Sequence, residues 1–399
     1  MAIVKFVEVC EKIGSGATPR GGKEAYSDEG ISLVRSQNVL DFSFSSDGLV
    51  HINDEQAKKL KNVELHPDDV LLNITGDSVA RACIMDSSFL PARVNQHVAI
   101  VRGKKELVLN SYILYYLQWK KDYLLQLASA GATRNALTKG MIEQLDINLP
   151  SLTEQKRIVA VLDSIQQKIS VNKKINDNLQ QQAAAIFRSW FVDCAPFGGK
   201  APDEWKNVTL EDITALISRG ITPKYADDTD QIVINQKCIR NHTIDLSLAR
   251  THTPKVINEK WLRFGDLLIN STGDGTLGRA AQVWFQPKNL TVDSHVTIAR
   301  PAKENLIFYI GLWGILHEKE IESLHTGSTG QTELPRDRVK AMELRLPDND
   351  TLDRFNALIT PMATAIVANQ EENNRLAALR DVILPKLMSG EIDVSAVQL

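Results

Sequence analysis

Two hydrophobic patterns alternate along the chain. Short apolar runs bounded by turn residues predict β-strands. Residues 111–127 combine many aromatic residues with a helical spacing and predict a helix. After Pro150, and again after Pro347, apolar residues recur every three or four positions, which predicts a long amphipathic helix in each place. The clearest strands early in the chain are expected at 71–74, 82–85 and 98–101.

The same order of segments occurs twice. Four blocks of the first half reappear in the second half, the first block at an offset of 204 residues and the others at 197 or 198. A repeat of roughly 195 residues is too long for a solenoid unit, so it indicates one duplicated domain pair. The matched blocks are 13–19 with 217–223, 69–77 with 266–274, 94–100 with 292–298, and 147–150 with 344–347.

Both long helices carry a seam of coiled-coil spacing with asparagines at the same steps. Ser151 and Glu154 have the spacing of a capping box at the start of the first helix. Asparagine in a seam weakens packing but fixes register and partner choice, so we interpret the four asparagines as register residues of two helices that pair with each other. The seams are Ile158, Leu162, Ile165, Ile169, Asn172, Asn176, Leu179, Ala183, Ile186, Trp190, and Phe355, Ile359, Met362, Ile366, Asn369, Asn373, Leu376, Arg380, Ile383, Leu387.

Charge and connectivity favour an antiparallel pair. Residues 151–192 contain six Lys/Arg and three Asp/Glu, a net of +3, whereas 348–389 contain four and six, a net of −2. Opposite signs favour pairing, although exposed ion pairs contribute little each. Because a globular segment separates the helices, we expect an antiparallel rod of roughly 60 Å with a globular domain at each end. Pro361 and Pro385 are expected to bend or shorten the second helix.

Composition is ordinary for a soluble globular protein. The 399 residues are 43% hydrophobic and 24% charged. No apolar run approaches a membrane span and the first residues do not resemble a signal peptide. Four scattered cysteines, Cys10, Cys83, Cys194 and Cys238, predict neither a zinc site nor a disulfide framework and fit the cytoplasm. The net charge of −3 argues against a small free-standing DNA binder, but phosphate contacts need only local basic clusters, and a partner can supply others.

Four short motifs mark the ends of the long helices and the entry to the second globular segment. They are 149–155 (LPSLTEQ) with Ile158, 187–193 (FRSWFVD), 202–205 (PDEW) and 383–392 (ILPKLMSGEI). In this order and in a duplicated frame, they resemble the specificity (S) subunits of Type I restriction–modification enzymes, the HsdS family, over nearly the whole chain. One departure is that the second helix opens at 348–350 without the Glu-Gln pair of the first.

The resemblance implies a mixed α/β (α+β) fold in which two duplicated target-recognition domains are separated by a two-helix antiparallel coiled coil with pseudo-two-fold symmetry. Each domain would read half of a bipartite, asymmetric double-stranded DNA site, and the coiled coil would set the spacing and dock two modification (methyltransferase) subunits. Those subunits would bind S-adenosylmethionine, and a restriction subunit, where present, would use ATP and Mg. This chain would bind no cofactor or metal and would not be an enzyme. The expected domains are 1–150 (first target-recognition domain), 151–192 (first helix), 193–206 (linker), 207–347 (second target-recognition domain), 348–391 (second helix) and 392–399 (tail).

Catalytic motifs are weak. Residues 198–201 (GGKA) lack the spacing and the Ser/Thr of a Walker A loop, and the eight histidines show no metal-binding spacing. Residues 273–278 (GDGTLG) fit G-x-G-x-x-G, but 279–285 predict a strand where a Rossmann site needs a helix. A glycine-rich hairpin that approaches DNA phosphate is the better interpretation. The matched His97 and His295 are interpreted as structural, with a DNA-facing role as the alternative.

Polar loops between the strands supply the candidate DNA contacts. Arg suits guanine edges, and Gln or Asn suit adenine edges, although polar residues also fill loops because they suit turns. Recurring Thr and Gly would shape loops or touch phosphate, whereas residues that differ between copies, such as Arg35 against the Asn235 region, would read different bases. The candidates are Ser15, Thr18, Arg20, Arg35, Ser36, Gln37, Asn38, Thr75, Ser78, Asn95, Gln96, Thr133, Arg134 and Asn135, then Ser218, Arg219, Thr222, Asn235, Gln236, Lys237, Thr272, Thr276, Arg279, Ser328, Thr329 and Gln331.

Two other functions stay open on the sequence. One is a stand-alone nucleic-acid methyltransferase or nuclease, against which the missing cofactor motif counts. The other is a coiled-coil scaffold that assembles proteins without reading bases.

Overall fold

The computed structural model describes residues 2–19, 21, 25–129, 135–273, 275–327 and 332–398. The chain divides into two compact units. The first comprises Met1–Ser170 and Asn373–Leu399, and the second comprises Val171–Glu372. Each long helix therefore contributes part of its length to each unit. Over the described ranges, the helices all fall short of the length and apolarity that a membrane span requires.

Small sheets form the framework of the first unit. Its strands are β1 Ala2–Lys5, β2 Cys10–Ser15, β3 Ile31–Val34, β4 Val50–Ile52, β5 Val70–Asn73, β6 Ala82–Ile84, β7 Ala92–Val94, β8 Val98–Gly103 and β9 Asp146–Leu149. In the described residues, β2, β8, β5 and β6 form an antiparallel sheet in that order. Strands β4, β3 and β7 form a second sheet, in which β3 and β7 run parallel, and β1 pairs with β9.

The central strand β5 is apolar throughout because both of its faces are covered. Val70 and Leu72 pack in the cluster that contains the helices, whereas Leu71 packs in the cluster of the second sheet. A strand buried on both faces has a continuous apolar run and not an alternating one, which is the pattern in the sequence.

Helices cover one face of the first unit. The predicted helix at 111–127 is two helices, separated at Lys120, where ψ is 12°. Seven consecutive residues of the first of these are buried, whereas the second buries only Leu124 and Ala128, so the change of direction gives the second helix a solvent face. The helices are α1 Phe6–Val9, α2 Asp54–Lys59, α3 Asn110–Trp119, α4 Lys121–Ser129, α5 Lys139–Glu143 and the long α6 Leu152–Phe187.

The second unit repeats this framework. Its strands are β10 Lys206–Thr209, β11 Thr214–Arg219, β12 Ile232–Ile234, β13 Ile239–Arg240, β14 Thr243–Ile244, β15 Arg250–Thr251, β16 Leu267–Asn270, β17 Ala280–Gln282, β18 Leu290–Val292, β19 Val296–Pro301 and β20 Glu343–Leu346. Among the described residues, the main sheet has the order β11-β19-β16-β17, β12 and β18 run parallel, and β10 pairs with β20. Leu267 lies opposite Ala299 as Val70 lies opposite Val101, so even the strand register is duplicated.

The helices of the second unit are α7 Ile307–Leu316, α8 Glu318–Ser323, α9 Arg336–Lys340 and the long α10 Asn349–Ser389. Phe187 of α6 and Phe355 of α10 pack in one core with ring centroids 6.1 Å apart. In the first unit, Ile158 of α6 shares a core with Leu387 of α10. Early residues of one helix therefore meet late residues of the other within each unit, which is the predicted antiparallel pairing.

The ends of the long helices are capped by side chains. The backbone N–H of Ser151 donates to Glu154 Oε2 at 3.0 Å, and the N–H of Glu154 donates to Ser151 Oγ at 3.3 Å, so the predicted capping box is confirmed. At the start of α10, the N–H of Thr351 donates to Asp348 Oδ1 at 2.9 Å. This hydrogen bond is the main reason that the pKa of Asp348 lies below its usual value.

The prolines do not shorten the second helix, so that part of the expectation is wrong. Helix α10 is continuous over 41 residues, although it contains Pro361 and Pro385. Each proline leaves the carbonyl four residues earlier without its N–H donor. Those carbonyls belong to the exposed residues Ala357 and Asp381, where water can bind them.

A buried ion pair lies at the same place in each unit. Asp69 accepts from Nε and Nη2 of Arg102, both at 2.6 Å, and Asp266 accepts from the same atoms of Arg300, both at 2.8 Å. Both carboxylates are fully buried. The bidentate geometry, with a further backbone N–H donor at 2.8 Å to each carboxylate, compensates their desolvation.

Candidate nucleic-acid interface

A glycine brings the first candidate loop of each unit against neighbouring strands. The N–H of Gly16 donates to the carbonyl of Val98 at 2.9 Å. A Cβ at Gly16 would lie 2.0 Å from the carbonyl oxygen of Val94, and one at Gly220 would lie 1.9 Å from that of Val292. Only glycine permits this approach, so both loops are held at the ends of the parallel strands.

The candidate side chains on these loops have different surroundings in the two units. Ser15 is exposed and Thr18 is half-buried. Arg219 is already engaged, because its Nη1 lies 2.6 Å from Glu333 Oε1, and Ser218 donates to the carbonyl of Arg219 at 3.1 Å. The matched loops therefore share a backbone path but offer different free groups.

Two lysines that the sequence analysis did not select lie at the second loop. Lys260 Nζ donates to the carbonyl of Gly220 at 3.1 Å, and Lys255 Nζ donates to that of the exposed Thr222 at 2.5 Å. Lys260 also lines a cleft of about 380 Å³, beside Arg219 and Arg336. The available signal was the spacing of Arg250, Lys255 and Lys260, five residues apart, in a stretch that none of the repeat blocks covers.

A buried asparagine at the end of β5 or β16 positions the second candidate loop. Asn73 Nδ2 donates to the carbonyl of Ser36 at 2.9 Å, and Asn270 Nδ2 donates to that of Gln236 at 3.0 Å. Each acceptor begins a 3-10 turn, Ser36–Asn38 or Gln236–Cys238. Both asparagines lie in the repeat blocks, so their duplication was the signal that could have identified them as positioning residues.

In the first unit, the turn is fastened to the following loop. Arg35 Nη2 and Gln37 Nε2 both donate to the carbonyl of Gly48, at 2.6 and 3.1 Å. Asn38 is fully buried and donates to the carbonyl of Ser45 at 2.9 Å. The Arg35 guanidinium carbon lies 5.6 Å from the centre of the Tyr26 ring. Gln37 is the exposed member of the set, and Ser36 is half-buried.

In the second unit, the same turn carries other groups. Asn235 Nδ2 donates to the carbonyl of Leu248 at 3.0 Å, and its Oδ1 accepts from the N–H of Lys237 at 2.8 Å. Gln236 Oε1 accepts from Thr272 Oγ1 at 3.2 Å, which joins two of the predicted loops directly. The side chain of Lys237 is exposed.

A threonine–histidine pair recurs beside this turn. Thr75 Oγ1 lies 2.7 Å from His97 Nδ1, and Thr272 Oγ1 lies 2.7 Å from His295 Nδ1. The hydroxyl fixes the orientation of the ring, so Nε2 is the remaining polar ring atom. In the first unit, Gln96 Nε2 lies 3.4 Å from that atom. Both histidines occupy matched positions of the repeat, but they were interpreted as structural and were not among the candidate DNA contacts.

The residue two positions before each histidine holds its backbone. The N–H of His97 donates to Asn95 Oδ1 at 3.0 Å, and the N–H of His295 donates to Asp293 Oδ1 at 2.9 Å. Asn95 and Asp293 are both buried. Burial raises the pKa of Asp293 above its usual value, although the hydrogen bond from His295 opposes this.

The other candidates lie around this cluster or outside the described residues. The carbonyl of Asn135 accepts from the N–H of Gly76 at 3.2 Å, and Thr276 Oγ1 donates to the carbonyl of Thr272 at 3.2 Å. Ser78 and Arg279 are half-buried. The predicted residues outside the described ranges are Arg20, Thr133, Arg134, Ser328, Thr329 and Gln331.

The glycine-rich segment at 273–278, of which Asp274 lies outside the described residues, leads into a strand. The N–H of Gly278 donates to the carbonyl of Asn270 at 2.8 Å, and β17 follows at Ala280–Gln282. A dinucleotide-binding turn leads into a helix, so this segment has the hairpin form that the sequence favoured.

The thiols are unsuited to nucleophilic chemistry. All four cysteines are free and buried, and burial raises the pKa of Cys10 and Cys83 to about 12 and that of Cys238 to about 11. Over the ranges that the structure describes, no group of three or more His, Cys, Asp or Glu side chains could hold a metal ion.

Comparisons with known proteins agree with this framework. Residues 1–181 match the family model of the Type I restriction modification DNA specificity domain. The chain is 25% identical to the Type I restriction enzyme MjaIX specificity subunit of Methanocaldococcus jannaschii, over 98% of this chain and 93% of that protein. It is 21% identical to the HindI specificity subunit of Haemophilus influenzae, over 91% and 94%.

A solved structure shares the fold. It is the S subunit of a Type I restriction–modification system from M. genitalium, with a TM-score of 0.54 and 12% identity over 97% of this chain and 96% of that one. Residues 1–181 therefore match the model of a Type I restriction modification DNA specificity domain, and nearly the whole chain is similar in sequence to Type I specificity subunits.

Proposed function

We propose that this chain is a non-catalytic subunit that recognises a bipartite, asymmetric DNA sequence and docks two methyltransferase subunits. One observation carries the proposal. Each unit holds the same polar cluster on the same strands, with the glycine loop, the 3-10 turn and the Thr–His pair in matched places. A cluster that is duplicated in its framework but differs in its exposed side chains suits two related domains that recognise different sequences.

The asymmetry follows from the side chains of the 3-10 turn. The first unit has Arg35, Ser36 and Gln37, whereas the second has Asn235, Gln236 and Lys237. Gln37 and Lys237 are exposed at matched positions, and they differ in charge and in hydrogen-bonding capacity. We therefore expect the two halves of the site to have different sequences.

The partners complete the proposed activity. The methyltransferase subunits would bind S-adenosylmethionine, and a restriction subunit would use ATP and Mg where a system has one, with this chain binding neither cofactor. The paired long helices would dock the methyltransferase subunits and set the spacing of the half-sites. The complex would act on DNA in the cytoplasm.

Reconstitution with the modification subunits tests the proposal. Gel shifts on duplexes that differ only in the spacer between the half-sites should show binding at one spacer length. Equal binding at all spacers would contradict the spacing role, and equal binding to all sequences would favour the scaffold. Methyl transfer by the chain alone would favour the enzyme alternative.

Two substitutions locate the readers. Gln37→Ala should relax the sequence preference of one half-site only, and Lys237→Ala should affect the other half-site only. Loss of one base contact costs about 1–3 kcal/mol of discrimination. Each variant is the control for the other, and methylation mapping by sequencing reads both half-sites in one experiment.

A further inference from the structure

The second unit contains an apolar cavity of about 570 Å³. Phe187 of α6, Trp284, Leu312 of α7 and Ile366 of α10 are among its apolar lining residues. The turn of the β13–β14 hairpin and the carboxylate of Asp177 also line it. The residues proposed to contact bases, Gln37 and Lys237, do not line this cavity, so the proposed DNA recognition does not use it.

The matching place in the first unit is filled by the chain itself. A hairpin at 39–44 corresponds to the β13–β14 hairpin, and its turn residue Phe42 corresponds to His242. The Phe42 ring lies 6.2 Å from the ring of Tyr115, and the guanidinium of Arg380 lies 4.0 Å from the Phe42 centroid. Arg380 also donates to Gln166 at 3.1 Å. An aromatic ring and a cation thus cover this position.

The second unit keeps the backbone but not these side chains. His242 has a φ of 58°, close to the 62° of Phe42, although the preceding Asn241 also has a positive φ, of 50°, and its counterpart Asp41 does not. Its Nδ1 lies 3.2 Å from Glu318 Oε1, an ion-pair partner in α8. Ala183 and Leu312 stand at the positions that match Arg380 and Tyr115. Phe42, Tyr115 and Arg380 thus all have smaller counterparts in the second unit, and two of these, His242 and Leu312, line the cavity.

We propose that the cavity is a docking site for a partner protein segment that presents an aromatic side chain next to Arg or Lys. The ring would pack on Trp284 and Leu312, and the cation would meet the carboxylate of Asp177. Two identical methyltransferase subunits would use matched surfaces, whereas this surface is open in one copy and filled in the other. The partner is therefore one that binds once per chain.

The probe is the blocked dipeptide N-acetyl-Phe-Arg-amide, titrated into the full-length chain by calorimetry and by ligand-observed NMR. We expect saturable binding with one site per chain. N-acetyl-Ala-Arg-amide should bind at least about tenfold more weakly, a factor that one buried phenyl group can supply. N-acetyl-Phe-Glu-amide should also bind more weakly, because it places a carboxylate and not a cation near Asp177. Equal binding of the three dipeptides, or none, would overturn the proposal.

Neighbouring alanines on α6 provide a matched pair of variants. Ala184 lines the cavity, whereas Ala185 is exposed and does not line it. Ala184→Trp should abolish binding of the dipeptide, and Ala185→Trp should leave it unchanged, with thermal unfolding measured for both. Asp177→Asn should weaken the binding of N-acetyl-Phe-Arg-amide and should not weaken the binding of N-acetyl-Phe-Glu-amide. Unchanged binding to Ala184→Trp would place the dipeptide elsewhere and contradict the site.

A titration with free phenethylguanidinium distinguishes a site for a protein segment from a site for a small molecule. If it binds and the dipeptide does not, the cavity takes small molecules and the proposal is wrong. DNA gel shifts on the same preparations are a separate measurement, because loss of sequence-specific DNA binding would count against the proposed function and not against this site.

Discussion

At the scale of residues, one buried position is filled differently in the two units. Asn95 and Asp293 each accept a hydrogen bond from the N–H of a matched histidine. The amide does so without charge, whereas the carboxylate must lose hydration to be buried, which raises the pKa of Asp293. A raised pKa means that the ionised form is disfavoured in the folded state, so Asp293 costs stability when the pH is above its folded pKa.

Asp293→Asn should therefore raise the thermal unfolding midpoint at pH 7. The gain should shrink as the pH falls toward the usual Asp value of 3.8, because Asp293 is then protonated and its cost disappears. Scanning calorimetry at pH 7 and pH 4 measures the difference. The reciprocal change, Asn95→Asp, should lower the midpoint at pH 7, and a rise there would contradict the explanation.

The buried ion pairs give a larger effect. Asp69→Ala would leave the guanidinium of Arg102 only the exposed carboxylate of Glu11, 3.7 Å away, and Asp266→Ala would remove the buried carboxylate that pairs with Arg300. Removing one partner of a buried pair costs about 3–5 kcal/mol, so we expect each variant to unfold at a clearly lower urea concentration. Asp69→Ala combined with Arg102→Met should recover much of the loss, and failure to recover would show that the carboxylate acts through its backbone hydrogen bond instead.

At the scale of elements, hydrophobic spacing predicted what depends on local pattern. The paired long helices and the capping box at Ser151 follow from residues three and four apart. The division of the helix at Lys120 and the length of α10 did not follow, because they depend on which faces the rest of the fold covers. Proline at an exposed helical position is tolerated when water can reach the freed carbonyl.

The candidate site was predictable only where the repeat marked it. The glycine loops and the 3-10 turns lie in or beside matched blocks, whereas Lys255 and Lys260 reach their loop from a stretch outside the blocks. The sequence also gave no sign of which candidates are buried. Asn38 has a side chain that could contact a base, yet it is buried and donates to the carbonyl of Ser45. Tertiary contacts decide which polar loop residues stay free, and spacing does not encode them.

Two of the four seam asparagines are bonded to each other, and a third is bonded to a glutamate of the opposite helix. Asn369 Nδ2 donates to Asn176 Oδ1 at 2.8 Å, and Asn176 Nδ2 donates to the carbonyl of Ile366 at 3.3 Å. Asn172 Nδ2 donates to Glu372 Oε2 at 2.7 Å. We propose that these bonds fix the register of the helices, since a shift along the seam would separate all of the donors from their acceptors.

Asn176→Leu alone should destabilise the protein by about 1–3 kcal/mol, because the amide of Asn369 loses its acceptor. The double variant Asn176→Leu and Asn369→Leu should be more stable than the single one, since an apolar seam packs better but no longer selects one register. Urea unfolding measures both effects. If the double variant is as unstable as the sum of the two single variants, the two side chains do not act together.

At the scale of the whole molecule, duplication makes every part of one unit a control for the other. Matched features, such as the buried ion pairs and the Thr–His pairs, meet requirements common to both units. Features that differ, such as the exposed residues of the 3-10 turns and the cavity at Phe187, give each unit its own binding surface. Differences at matched positions are therefore the places where specificity should be sought.

The spacing role can be tested where each long helix passes from one unit to the other, between Ser170 and Val171 and between Glu372 and Asn373. Inserting one heptad at both points keeps the seam on the same helix face and adds about 10 Å to the pair. At 3.4 Å per base pair, the preferred spacer of the DNA site should lengthen by up to about three base pairs.

Insertion of four residues at both points moves the seam off its face, so that variant should lose cooperative unfolding. Methylation mapping with the reconstituted complex reads the spacer directly. The half-site sequences should stay the same, because the reading loops are unchanged, and a heptad variant that folds but keeps the original spacer would mean that the helices do not set it.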